Sequence, residues 1–149
     1  MIKVGEPLPR IKGETQYGPL DLADFRGSKA VVLWTYPKDM TSGCTSEAID
    51  FSQRSADFAA LNTELVGLSR DTVESHRDFA RASAITPPLL ADPDGTLCSS
   101  LGVLPEPSSN PKRATFVVDR DGIVRYVFEA VKVPGHAAQV LEVVREMIS

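Results

Sequence analysis

The apolar residues of this chain fall into short continuous runs that alternate with helix-spaced stripes. The run 30–36 is β-branched and aromatic and ends at Pro37, so it predicts a buried central strand. The run 65–69 predicts a second buried strand. Between them, apolar residues recur every three or four positions from Cys44 to Leu61, which is the spacing of one helix face.

The second half of the chain continues the alternation and then changes to a hairpin pattern. Two apolar runs flank the dipeptide Asp121-Gly122, which is a strong signal for an antiparallel hairpin. The sequence further predicts short edge strands around Ile11 and 20–22, a helix over 73–84, a strand over 89–91, a turn over 92–95, a short helix ending at Gly102, a proline-rich loop over 104–112, hairpin strands over 113–119 and 123–128, and a final helix over 137–148.

This order of elements predicts the fold class. Two strands joined by a helix imply a right-handed crossover and parallel pairing, whereas the terminal hairpin adds antiparallel strands. We therefore expect an α/β fold with a mixed central sheet and helices on both faces, forming a single domain over 1–149.

Composition narrows the classes of function. The chain has 149 residues, 42% of them apolar, and 16 Lys+Arg against 20 Asp+Glu for a net charge of −4. This mild acidity argues against nucleic acid or an anionic membrane as a partner. There is neither an apolar run long enough to span a bilayer nor a signal-like segment, so we expect a cytoplasmic protein. Its two cysteines, Cys44 and Cys98, are expected to be reduced or reactive thiols in that setting.

Cys44 is the first candidate for chemistry. The pattern places it in the first turn of a helix that follows a buried strand, with Thr41 predicted as the N-cap. Free backbone N–H groups and the helix dipole favour a thiolate there, and the thiolate is the nucleophilic form. The alternative from position alone is that Cys44 is a small buried apolar residue.

A resemblance favours the reactive interpretation. The spacing Pro37-x-x-x-Thr41-x-x-Cys44 resembles the active-site signature of peroxiredoxins, which are thiol peroxidases, and the run 36–48, YPKDMTSGCTSEA, resembles the bacterioferritin comigratory protein or PrxQ type. The resemblance covers nearly the whole chain and implies a thioredoxin-like fold. It also includes the segments 18–27, 75–79, 88–95, 113–119 and 135–137.

The resemblance implies a reaction and roles for four residues. Cys44 would be the peroxidatic nucleophile towards hydrogen peroxide and organic hydroperoxides. The Thr41 hydroxyl, the Cys44 N–H and the Arg113 guanidinium would stabilise the developing charge, while Pro37 would shield the thiolate. No metal or other cofactor is implied. The reductant would be thioredoxin or another small thiol donor.

Cys98 leaves two alternatives open. Many relatives of this type carry a resolving cysteine five positions after the first, where this chain has Ile49, and others carry it near Phe79 and Ala80. Cys98 therefore either resolves Cys44 after local unfolding, since a disulfide needs close Cα atoms, or it is an inert helix cysteine in a one-cysteine enzyme. We expect a monomer, or at most a weak dimer.

Two rival functions remain at this stage. One is a peroxide-sensing module with slow turnover. The other is a cysteine hydrolase that pairs Cys44 with His136, which would need the imidazole within hydrogen-bond reach of the sulfur. We otherwise interpret His76 and His136 as structural residues, and Glu47 as a first-turn acid that complements the helix dipole or tunes the pocket.

Overall fold

The computed structural model describes residues 1–148. Its seven strands are β1 (Lys12–Thr15), β2 (Gly18–Asp21), β3 (Ala30–Thr35), β4 (Thr63–Ser69), β5 (Leu89–Ala91), β6 (Ala114–Val118) and β7 (Val124–Phe128). Its α-helices are α1 (Ser42–Gln53), α2 (Ser55–Ala60), α3 (Val73–Ser83), α4 (Thr96–Leu101) and α5 (His136–Ile148), and a 3-10 turn covers Leu22–Phe25. None of the helices within 1–148 is both long and apolar enough to cross a bilayer.

The main sheet has the order β5-β4-β3-β6-β7. β3 pairs in parallel with β4 and antiparallel with β6, and β7 is antiparallel to β6. The predicted mixed sheet is therefore confirmed. All residues of β3 are buried, because this strand lies in the middle of the sheet with a layer on each side.

The sheet separates two cores. Alternate side chains of a strand point to opposite faces, so Val32 and Trp34 belong to one core and Val31 and Leu33 to the other. The first core packs against α1, α2, α3 and α5, and the second packs against α4, the 3-10 turn and the N-terminal segment. This division puts the two cysteines on opposite faces of the sheet.

Two predicted elements differ from the structure. The N-terminal strands pair only with each other as a separate two-stranded sheet, rather than at the edge of the main sheet. The helix predicted through Leu61 is interrupted at Arg54. On either side of the break, the hydroxyls of Ser52 and Ser55 donate to the carbonyls of Ala48 and Phe51, and such bonds compete with regular helix geometry.

Candidate active site

Cys44 is the third residue of α1 and is 1% exposed. The helix begins after Thr41, whose extended backbone is that of an N-cap, as predicted. The Thr41 side chain does not cap the helix, however, because its exposed hydroxyl donates to the Lys38 carbonyl at 2.9 Å. Within residues 1–148, no side chain therefore caps the first turn of α1, and its N–H groups remain available to a ligand.

Arg113 reaches Cys44 from the neighbouring strand. It directly precedes β6, which pairs with β3 so that Ala114 lies opposite Thr35. Its Nη2 donates to Cys44 Sγ at 3.2 Å, and its Nη1 donates to Glu47 Oε1 at 2.7 Å. The planar guanidinium thus contacts two groups at once, as its chemistry allows, and it places a positive charge beside the sulfur.

Gly43 leaves room for this guanidinium. A Cβ added at Gly43 would lie 3.3 Å from Arg113 Nη2, which is tighter than an ordinary carbon–nitrogen contact. A larger residue at this position would crowd Arg113 where it approaches Cys44. The absence of a side chain at Gly43 therefore belongs to the geometry of the site.

Glu47 is the residue whose importance the sequence understated. It lies one turn after Cys44 on the same helix face, is 1% exposed, and forms an ion pair with Arg113. Burial raises its pKa to about 7, against the opposing effect of the Arg113 charge. Its Oε2 is buried without a partner among the described residues. The spacing of three residues from Cys44 was the signal that could have placed it in the site.

His136 does not act as a base for Cys44 in this arrangement. Its Nε2 lies 2.8 Å from Thr115 Oγ1, and its ring meets Phe51 and Phe128 edge-on. Burial, with a smaller effect of the Arg113 charge, lowers the pKa of His136 to about 4. The imidazole is therefore neutral near pH 7 and has a partner other than the sulfur. This geometry does not support a Cys–His hydrolase.

Cys98 and Cys44 lie on opposite faces of the sheet. Cys98 is fully buried in α4, in the core on the other face of the sheet. Its backbone N–H donates to Asp92 Oδ2 at 2.8 Å. Burial, followed by the Asp92 carboxylate, raises the pKa of the Cys98 thiol well above its usual value. The structure thus groups Cys44 with Arg113 but does not bring Cys98 to them.

The remaining candidates lie on the loop between β3 and α1. Pro37 is half-buried at the end of the strand, four residues before Thr41. Asp39, on the same loop, has a potential metal-ligand atom within 4.8 Å of those of Asp71 and His76. These atoms already share hydrogen bonds with one another and with neighbouring groups.

Comparisons with known proteins agree with this geometry. Residues 4–127 match the AhpC/TSA family. The chain is 35% identical to a putative peroxiredoxin bcp of Coxiella burnetii over 147 residues, covering 94% of this chain and 97% of the relative. It is 40% identical to a peroxiredoxin of Hyperthermus butylicus, covering 83% of this chain but only 56% of that longer protein.

Solved structures show the same fold. The crystal structure of peroxidoxin BcpB from Mycobacterium tuberculosis superposes with a TM-score of 0.92 at 33% identity, covering all of both chains. A bacterioferritin comigratory protein of Xanthomonas campestris, studied for alkyl peroxide reduction, gives 0.88 at 29% identity and covers 93% of this chain and 92% of its own. The chain belongs to the AhpC/TSA family and is a peroxiredoxin of the bacterioferritin comigratory protein or PrxQ type, with a thioredoxin-like fold.

Proposed function

We propose that this chain reduces hydrogen peroxide and organic hydroperoxides with Cys44 as the peroxidatic cysteine and with Arg113, Thr41 and Pro37 forming its pocket. The observation that carries the proposal is the Arg113 guanidinium 3.2 Å from Cys44 Sγ. A fixed positive charge stabilises the thiolate before reaction. It also stabilises the negative charge that develops on the leaving oxygen.

The reaction follows from this arrangement. The Cys44 thiolate attacks one peroxide oxygen, the O–O bond breaks, and the leaving oxygen takes a proton to become water or an alcohol. The sulfur is oxidised to sulfenic acid while the peroxide is reduced. The uncapped N–H groups at the start of α1 and the Arg113 guanidinium are the donors that face this charge.

Thr41 would accept a hydrogen bond from the substrate rather than donate one to the leaving oxygen as the sequence suggests. Its hydroxyl hydrogen points to the Lys38 carbonyl, so its oxygen has lone pairs free to accept a hydrogen bond from the peroxide O–H. In this arrangement Thr41 orients the substrate. Donation to the leaving oxygen would require the hydroxyl to rotate away from Lys38.

For recycling, we propose a one-cysteine cycle driven by thioredoxin or another small thiol. Two thiols would reduce the sulfenic acid to the Cys44 thiol and water, and would leave as a disulfide. The support is the burial of Cys98 on the opposite face of the sheet. Pairing of Cys98 with Cys44 would require much of that core to open. A cytoplasmic location and a monomeric state remain predictions from the sequence.

The test is peroxide consumption by wild type, Cys44→Ser and Cys98→Ala with a thioredoxin system or a small thiol as reductant. We expect repeated turnover by wild type and Cys98→Ala and none by Cys44→Ser. Retained turnover in Cys44→Ser would refute the proposal. A single stoichiometric oxidation of wild type would instead identify a peroxide sensor.

The mass of peroxide-treated wild type under non-reducing conditions tests the cycle. A gain of one oxygen is expected for a sulfenic acid in a one-cysteine enzyme. A loss of two hydrogens would show that Cys98 resolves Cys44 and would overturn the one-cysteine cycle, but not the peroxidase function.

A further inference from the structure

A buried hydrogen-bond network anchors the loop that carries Thr41. Its centre is Asp39, which is 5% exposed. The Asp39 carboxylate accepts from Tyr36 Oη at 2.7 Å on one oxygen. It accepts from Ser75 Oγ and contacts His76 Nδ1, both at 2.8 Å, on the other. Three side chains, Tyr36 directly after β3 and Ser75 and His76 from α3, thus converge on one carboxylate of the active-site loop.

The hydrogen bonds of His76 determine how many protons it shares with Asp39. His76 is fully buried, and its Nε2 lies 2.9 Å from the Leu90 carbonyl, which can only accept, so Nε2 carries a hydrogen. The short contact between Nδ1 and Asp39 therefore needs a further proton, carried by one of the two groups. The pair as a whole is neutral, so its burial leaves no uncompensated charge.

Tyr36 keeps its proton in this network. Burial and then the negative charge of Asp39 raise the pKa of Tyr36 well above its usual value. The hydroxyl therefore stays a donor to Asp39. The other titratable groups that face the Asp39–His76 pair are Tyr36, directly after β3, and Asp71, in the β4–α3 connection.

A second bond holds the loop by its backbone. The Asp39 N–H donates to Asp71 Oδ2 at 2.9 Å, and Ser69 Oγ donates to the same oxygen at 2.5 Å. Asp39 is thus bound through its side chain to α3 and to Tyr36 beside β3, and through its main chain to Asp71 in the β4–α3 connection. Its position is fixed by the body of the fold rather than by the loop itself.

One residue separates this fixed point from Thr41. Met40 is 55% exposed and has φ +66°, a left-handed conformation that is unfavourable for a residue with a side chain. Such a conformation persists only where its surroundings hold it. The bonds of Asp39 on one side, and the start of α1 on the other, supply that restraint.

We propose that Asp39 and His76 are positioning residues for peroxide reduction, because their buried contact holds Met40, Thr41 and the first turn of α1 in the arrangement that receives the peroxide. They act through the loop backbone. The inference rests on the proposed peroxidase function and adds two residues outside the pocket to it.

The experiment compares two rates at Cys44 in the full chain. Oxidation by hydrogen peroxide needs an oriented substrate, whereas alkylation by iodoacetamide needs mainly an accessible thiolate. We expect Asp39→Ala to slow oxidation by about 100-fold, as small misplacements in an active site can, while alkylation changes far less. Asp39→Asn, which keeps the size and can donate to a neutral His76, should recover part of the loss.

Asp92→Ala is the matched control. Asp92 is 3% exposed and accepts backbone hydrogen bonds from Leu97 and Cys98 on the opposite face of the sheet, so its loss should destabilise the fold without changing the ratio of the two rates. An unchanged ratio in Asp39→Ala, or an equal change in Asp92→Ala, would overturn the proposal. Should Asp39→Ala not fold, the same ratio in Asp39→Asn decides, with a loss of about 10-fold confined to oxidation as the expected result.

The two proposals can fail separately. If wild-type Cys44 is not oxidised by peroxide, the proposed function is wrong, and the positioning role fails with it. If wild type reacts but the Asp39 variants keep the wild-type ratio of rates, only the positioning role is wrong.

Discussion

Both cysteines are the third residue of a helix, Cys44 in α1 and Cys98 in α4, and both are almost completely buried. Their partners carry opposite charges. Cys44 Sγ accepts from the Arg113 guanidinium, whereas the Asp92 carboxylate lies beside Cys98 and accepts its backbone N–H. A thiolate would thus be stabilised at the first site and repelled at the second.

The comparison shows that a helix N-terminus does not by itself make a cysteine reactive. In α4 the Asp92 carboxylate occupies the free N–H groups of Leu97 and Cys98, so the positive end of the helix is already neutralised. In α1 the corresponding groups have no side-chain cap among residues 1–148. The charge of the neighbouring side chain and the availability of the N–H groups therefore determine whether a thiolate is stabilised at Cys44 or at Cys98.

The largest effect is expected when the cation that distinguishes the Cys44 site from the Cys98 site is removed. We expect Arg113→Gln to lower kcat/KM for peroxide by about 10²–10³-fold, the usual cost of losing one charge-stabilising donor. Steady-state peroxide consumption measures this. Arg125→Gln, which breaks an exposed ion pair with Asp119, is the control and should keep wild-type activity. A wild-type rate in Arg113→Gln would show that the guanidinium is not part of the chemistry.

The second prediction concerns the orienting hydroxyl. Thr41→Val removes the oxygen that accepts from the peroxide, so we expect a loss of about 10–100-fold in kcat/KM. Thr41→Ser keeps the hydroxyl and should stay near wild type in the same assay. A loss in Thr41→Ser as large as that in Thr41→Val would contradict this role, because Thr41→Ser keeps the hydroxyl.

Sequence reasoning identified the central strand, the hairpin and the placement of Cys44 because each has a local signal. Buried β3 is a continuous apolar run, and Asp121-Gly122 marks a turn by its own chemistry. Arg113 was assigned to the site through the family resemblance, because it lies 69 residues from Cys44 in the sequence. No local pattern reveals a contact across that separation.

The burial and the hydrogen-bond partners of polar residues could not be predicted from the sequence. The pattern suggests a first-turn acid at Glu47, but the structure places it beyond the first turn of α1, buried against Arg113. Asp39 and His76 likewise lie 37 residues apart, on a loop and a helix. The separation of the two cysteines depends on which face of the sheet α4 covers, and periodicity within α4 does not fix that face.

The third prediction uses the raised pKa of Glu47. Its carboxyl binds a proton more tightly in the folded state, with a pKa of about 7 against an ordinary value of 4.5. The folded protein therefore holds more protons than the unfolded chain between these pH values, and stability falls as pH rises through them, by up to ~3 kcal/mol from this group.

Glu47→Gln tests this assignment by denaturant unfolding at several pH values. The variant should lose the part of the pH dependence that arises between about pH 4.5 and 7, because an amide does not titrate there. Glu142→Gln, at a surface ion pair with Arg145, is the control and should keep the wild-type profile. A profile in Glu47→Gln identical to wild type would place that pH dependence elsewhere.

The smallest effect is expected at the other cysteine. Cys98→Ala removes a buried sulfur and should lower the free energy of unfolding by about 1–2 kcal/mol, as other small deletions in a core do. Because Cys98 faces the core opposite Cys44, peroxide turnover with an external thiol should remain close to that of wild type. A large loss of turnover in a well-folded Cys98→Ala protein would mean that the two thiols meet during the cycle, and the difference between their surroundings would then describe only the reduced resting state.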